Sequence, residues 1–135
     1  MEDIIVTATL PAPIEQVWET VSTPEGLSAW FMPNNLKAEP GYEFSLQSPF
    51  GPSTCKVLEA DPPRFLSFAW DEDGWFLPIA LKGADDQTEF TLTHGGWKEP
   101  DHIIEKAREK TSVIRARMEQ GWMNIVNTRL KKLFV

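Results

Sequence analysis

Between Leu36 and His94 apolar and polar residues alternate in short runs, each ended by a turn signal, and from Asp101 to Val135 there is no proline. These two stretches call for different elements. Tyr42, Phe44 and Leu46 alternate with Glu43, Ser45 and Gln47; Leu66, Phe68 and Trp70 alternate with Phe65, Ser67 and Ala69; Thr88, Phe90, Leu92 and His94 alternate with Glu89, Thr91 and Thr93. A period of two is strand spacing. Thr54 to Ala60 is a further run, and Trp75 to Lys82 is nearly continuous apolar. The breaks are "DPP" at Asp61 to Pro63, a hairpin turn "DEDG" at Asp71 to Gly74, and "GADD" at Gly83 to Asp86. Runs so punctuated predict one meandering antiparallel sheet.

The proline-free tail reads as helix. On a wheel of about 100° per residue with Trp122 as origin, Met118, Ile125, Val126, Leu130 and Leu133 fall within about 80°. This predicts one amphipathic helix over roughly Ser112 to Phe134. Upstream, "DHIIEKAREK" at Asp101 to Lys110 reads as a separate helix or a kinked extension. At the other end, "IIVTATL" at Ile4 to Leu10 is a β-branched strand. It is followed by a short helix with Ile14, Val17, Trp18 and Val21 on one face, and by a second one in "PEGLSAWF". Strand, two short helices, further strands and a long helix give an α+β chain. Sheet and helix must pack their apolar faces together, and a sheet curving away from the helix opens a cavity. No repeat or linker interrupts the order, so residues 1–135 are drawn as a single domain.

Composition narrows the function. Thirteen basic against twenty acidic residues give a net charge of −7, a field that opposes phosphate backbones and anionic membranes and argues against nucleic-acid binding. The longest uncharged apolar run, "WFLPIAL", is far below the roughly 18 residues of a membrane span. The acidic N-terminus lacks the basic region of a secretory signal, and one cysteine forms no internal disulfide; both point to the cytoplasm. Six Trp and eight Phe stand beside a single Tyr. Rings without polar tips suit a full core or an apolar cavity. Trp30, Phe31 and Met32 are consecutive, and neither helix nor strand turns three successive side chains to one side. They divide between the core and a cavity rim, or all plug the core.

The segments "APIEQVWETVSTPEGLSAWF", "PGYEF", "VLEADPPRFLSFAW", "TEFTLTHGGW" and "GWMNIVNTRLKKL" resemble, in order and register, the AHSA-type domain, a branch of the START-like (SRPBCC, birch-pollen-allergen-like) superfamily. The resemblance runs from Ile5 to Leu133. It implies a helix-grip fold: a curved antiparallel sheet of six or seven strands around a long C-terminal helix, with two short helices after the first strand and a hydrophobic cavity between sheet and helix. The eukaryotic co-chaperones of this family carry a further N-terminal domain that they need to stimulate the ninety-kilodalton heat-shock protein. Here the domain starts at residue 1, so a chaperone partner is the weaker expectation. Pro100 to Met118 is long and charged, and reads as a lid or cap peculiar to this subgroup.

The residues give little sign of catalysis. His94 and His102, eight apart, with Cys55 some forty residues upstream, match no zinc spacing. His94 falls on the alternating apolar face and reads as a buried or turn histidine, and Cys55 as a small hydrophobe. "GGW" lacks the pattern of a phosphate loop. No metal or cofactor is expected. Arg115 and Glu119 lie four apart inside the helical apolar stripe, either to orient a polar group of a ligand or to turn outward where the helix bends near Gly121.

The expectation is a protein that binds a small, mostly apolar molecule. Phe44, Phe68, Trp70, Phe90 and Leu92 would form the sheet side, Met118, Trp122 and Val126 the helix side, and Trp30 and Phe31 the mouth, with Arg115 beside them. A protein–protein or chaperone-associated module is the first alternative. The second is an enzyme acting on a lipid-like or polyketide-like substrate, since related helix-grip proteins include cyclases and hydrolases; a Trp-rich pocket with one histidine offers few acid–base groups for it.

Overall fold

The computed structural model describes residues 1–48, 51–70 and 74–134. Six antiparallel strands form one curved sheet in the order β1-β6-β5-β4-β3-β2. They are β1 (Ile4–Leu10), β2 (Glu43–Ser48), β3 (Gly51–Asp61), β4 (Phe65–Trp70), β5 (Trp75–Ala84) and β6 (Gln87–His94). Helices α1 (Ile14–Ser22) and α2 (Pro24–Trp30) connect β1 to β2, and α3 (Thr111–Asn124) continues into a π-helical segment, Ile125–Leu130. This is the helix-grip arrangement the sequence implies. Asp71–Asp73 of the expected "DEDG" turn lie outside the described residues.

The strand alternation sets the sheet's buried face. Phe44, Cys55, Trp70 and Trp75 stand directly opposite one another across β2 to β5. A second row joins Val57, Phe68 and Leu77, and a third Leu66, Ile79, Leu92 and Val6. All are buried, each large apolar side chain contributing roughly 1.5–3 kcal/mol relative to exposure. Among the described residues the register shifts between Val57 and Glu59, which leaves Leu58 outside the ladder and half exposed. A bulge of this kind bends its strand and increases the local twist.

The two short helices close one side of the sheet. Thr23 caps α2 by accepting a hydrogen bond from the Gly26 amide at 3.1 Å, and Pro24 takes the first helical position. Gly26 lies so close to the backbone of Glu19 and Thr20 that a Cβ would collide with them, which lets α2 cross tightly over the end of α1. Across that crossing Trp30 Nε1–H donates to Thr20 O at 3.0 Å.

Two expectations change. Asp101 to Lys110 is not helical: β7 (Ile103–Ile104) and β8 (Glu109–Lys110) pair as a small hairpin. Arg108 adopts φ 53°, a left-handed conformation that no α-helix continues through, and only Ile104 of the adjacent isoleucines is buried. Leu133, placed on the apolar stripe by the wheel, is 42% exposed. The cause is the π-helical segment, whose wider turns change the angle per residue. The buried side chains Trp122, Val126 and Leu130 follow a strict four-residue step instead.

Candidate functional site

The long helix leans on β1, at one edge of the sheet, and stands away from β3 and β2 at the other. Between them lies a groove of about 620 Å³. Its sheet side is Trp70 and Trp75, its helix side Ile114, Met118, Trp122 and Ile125, and its end Phe31 and Met32. The β7–β8 hairpin straps the opening, contributing His102 to Ala107. The strap is tied at both ends. Lys106 Nζ donates to Pro52 O at 3.0 Å and Ser53 Oγ at 3.1 Å, and the Thr111 amide donates to His102 O at 2.8 Å.

Phe31 reaches the groove because α2 ends at Trp30. Phe31 has φ −119° and ψ −93°, outside helical geometry, so two consecutive side chains turn inward. Trp30 is wholly buried, edge-on to Phe90 with ring centroids 5.9 Å apart. Phe31 packs on Trp122 at 4.9 Å and on Trp70 at 5.7 Å, and half-buried Met32 follows on the groove wall. The triplet divides between core and groove.

Of the side chains singled out from the sequence, Phe31, Trp70, Met118 and Trp122 come together around the groove. Trp30, Phe44, Phe68, Phe90, Leu92 and Val126 are buried in the core and do not line it. Arg115 lies elsewhere. Its Nε–H donates to Glu2 O at 2.8 Å, and its guanidinium sits 3.8 Å from Glu119, so the two meet as an ion pair at the start of β1 rather than inside the groove. Helix α3 runs on through Gly121. Trp75, Ile104, Ile114 and Arg117 line the groove without having been singled out. For Trp75 the signal was present: Trp75, Leu77, Ile79 and Leu81 alternate in burial with Phe76, Pro78 and Ala80, a period hidden by the apolar character of both sets.

Beneath the groove, His94 is fully buried among the rings of Trp70, Trp75, Trp97 and Trp122, whose centroids lie 4.4–6.1 Å away. Trp122 Nε1–H donates to His94 Nδ1 at 3.0 Å, and Trp97 Nε1–H to His94 O at 2.8 Å. Gly96 completes this corner with φ 86°; a Cβ there would strike Gly74 O. Burial pushes the His94 pKa down from 6.5 to about 3, and the nearby positive charge of Arg115 acts in the same direction. The ring is therefore neutral, and because Nδ1 accepts, the proton sits on Nε2. His94 Nε2 and Trp70 Nε1 are two buried donors with no acceptor among the described residues.

Chemically the groove is an apolar slot with a charged rim. His94 does not line it, and among the described residues the titratable side chains that do, besides lysines and arginines, are His102 and Glu105 on the strap. Among the described residues no group of three metal-ligating side chains gathers to hold an ion, and no helix is long and apolar enough to cross a membrane.

A family model described as Activator of Hsp90 ATPase homolog 1-like protein matches residues 11–135. The chain is similar over its whole length to the solved structure of BH1534 from Bacillus halodurans, with 49% identity and a TM-score of 0.93, covering 100% of this chain and 98% of that one. The Aha1 dimer from Colwellia psychrerythraea is 18% identical with a TM-score of 0.76, covering 99% and 96%. DynU16, from the dynemicin biosynthetic locus, is 22% identical with a TM-score of 0.78, covering 98% of this chain and 46% of that one. At such identities the last two share the fold. No curated protein matches the chain.

Proposed function

The chain belongs to the Activator of Hsp90 ATPase homolog 1-like family, and from that premise we propose that its groove binds a small, mostly apolar molecule. The observation that carries this reading is the groove of about 620 Å³ faced by three indoles, Phe31 and Met118. Its volume falls within the roughly 300–1,000 Å³ range of small-molecule sites. A solid core in this position would leave no such space, since interiors pack to crystal-like density. Phe31, Trp70, Met118 and Trp122 would touch the ligand, while Trp30, Phe44, Phe68, Phe90, Leu92 and Val126 hold those four in place from beneath. Arg115 secures the first strand. The protein would work as one cytoplasmic domain of residues 1–135 with neither metal nor cofactor.

Native mass spectrometry of protein purified from its own host tests this directly. The expected result is an added mass that is released on denaturation and displaces an apolar fluorescent dye from the refolded protein. Protein that carries no added mass and binds no apolar dye would retire the reading.

A further inference from the structure

We propose that the ligand of this groove is an acid: an apolar body carrying a carboxylate or comparable anionic head, read by the cations at the groove's rim. The inference deepens the groove-binding reading and rests on it. The chain as a whole is acidic, with a net charge of −7. Among the described residues that line its groove the balance is the reverse: Lys98, Lys106, Arg117 and Arg129 stand against the single carboxylate of Glu105.

Two of these cations are already engaged. Lys106 ties the strap to β3, and Arg129 donates to Phe31 O at 3.3 Å. Lys98 and Arg117 have no ion pair or hydrogen bond among the described residues, and both are exposed at the rim. A guanidinium offers a fork of donors that matches a carboxylate. The unmet polar groups of Lys98 and Arg117 are donors, so a ligand that satisfies them brings acceptor oxygen. An anionic membrane is a poor source of that oxygen, because the net charge opposes approach to an extended negative surface. A free, monomeric amphiphilic anion fits the slot and the rim together.

The experiment compares dodecanoic acid, dodecan-1-ol and methyl dodecanoate, each below its aggregation concentration, by tryptophan fluorescence and calorimetry at low and high salt. The acid should bind about tenfold or more tightly than the alcohol or ester, in line with hydrogen bonds to a charged group, and high salt should shrink that margin. In the double variant Lys98→Gln, Arg117→Gln the acid should fall to the affinity of the alcohol, whereas Arg117→Lys alone should retain most of the preference. Equal binding of acid, alcohol and ester would overturn the acid proposal and leave the groove reading standing. A preference for the acid that survives the double variant would also overturn it, since the rim would then not be the reader. If none of the three binds, the groove reading fails and the acid proposal with it.

Discussion

The indole Nε1–H of Trp122 donates to His94 Nδ1 across 3.0 Å, joining the long helix to the last residue of the sheet's β6 strand through a bond buried from solvent. The acceptor is a neutral imidazole, so this link between the two halves of the grip depends on a proton staying away.

Acid should therefore loosen the fold in a defined window. An unfolded histidine titrates near 6.5 and His94 in the fold near 3. Between those values the unfolded chain binds the extra proton. The contribution of His94 is complete above about pH 6.5 and is lost as pH falls, by about 1.4 kcal/mol per pH unit, until the folded pKa is reached. Urea denaturation of wild type and His94→Gln across this range checks it: the variant should be the less stable at neutral pH, and the gap should close on acidification. Parallel curves would contradict the assignment.

Two substitutions at Trp122 separate its bond from its bulk. Trp122→Phe keeps a ring against Phe31 and Trp70 but leaves His94 Nδ1 without its donor, and should lose about 1–3 kcal/mol. Trp122→Ala should lose about 3–5 kcal/mol, the cost of a large core side chain, because Trp122 is only 2% exposed despite facing the groove. Chemical denaturation reads both. A loss below about 1 kcal/mol for the alanine variant would mean the helix is not seated as described.

Met118 and Ile103 line the groove from helix and strap, the first half-buried and the second 49% exposed. Met118→Asp and Ile103→Asp should each weaken apolar dye binding severalfold while changing stability by no more than about 1 kcal/mol. Fluorescence titration and melting curves on the same samples test the pair of expectations.

Arg115→Ala should behave in the opposite way. The side chain holds the backbone of Glu2 and Asp3 and pairs with partly exposed Glu119, so its removal should cost about 1 kcal/mol and leave dye affinity unchanged. A loss of affinity would return Arg115 to the ligand site that its position on the helical wheel suggested.

The sheet was legible in the sequence because each strand has one buried face and a period of two: Phe44, Phe68, Trp70, Phe90 and Leu92 are all buried, as their alternation required. The groove was less so. A helical wheel assumes one pitch, and the chain changes pitch at Ile125, which carried Leu133 out to solvent. The strap was hidden for another reason. Its apolar contribution is essentially Ile103 and Ile104 in a run of charges, too short for any periodicity, and its course depends on Arg108 in a left-handed conformation and on Lys106 reaching β3 more than fifty residues earlier in the chain. Long-range contacts of that kind leave no local trace.

The change of pitch at Ile125 makes residue count a structural variable. A π turn, bonded i to i+5, holds one residue more than an α turn, so deleting a single residue between Ile125 and Leu130, with relaxation of the wide turns to ordinary ones, would leave Leu130 and Phe134 facing nearly as they do. The same deletion within Thr111–Asn124 would swing everything after it by about 100° and turn Leu130 away from the sheet although no side chain had been substituted. Among relatives of this chain, a one-residue gap is therefore expected in the wide turns and not in the helix before them.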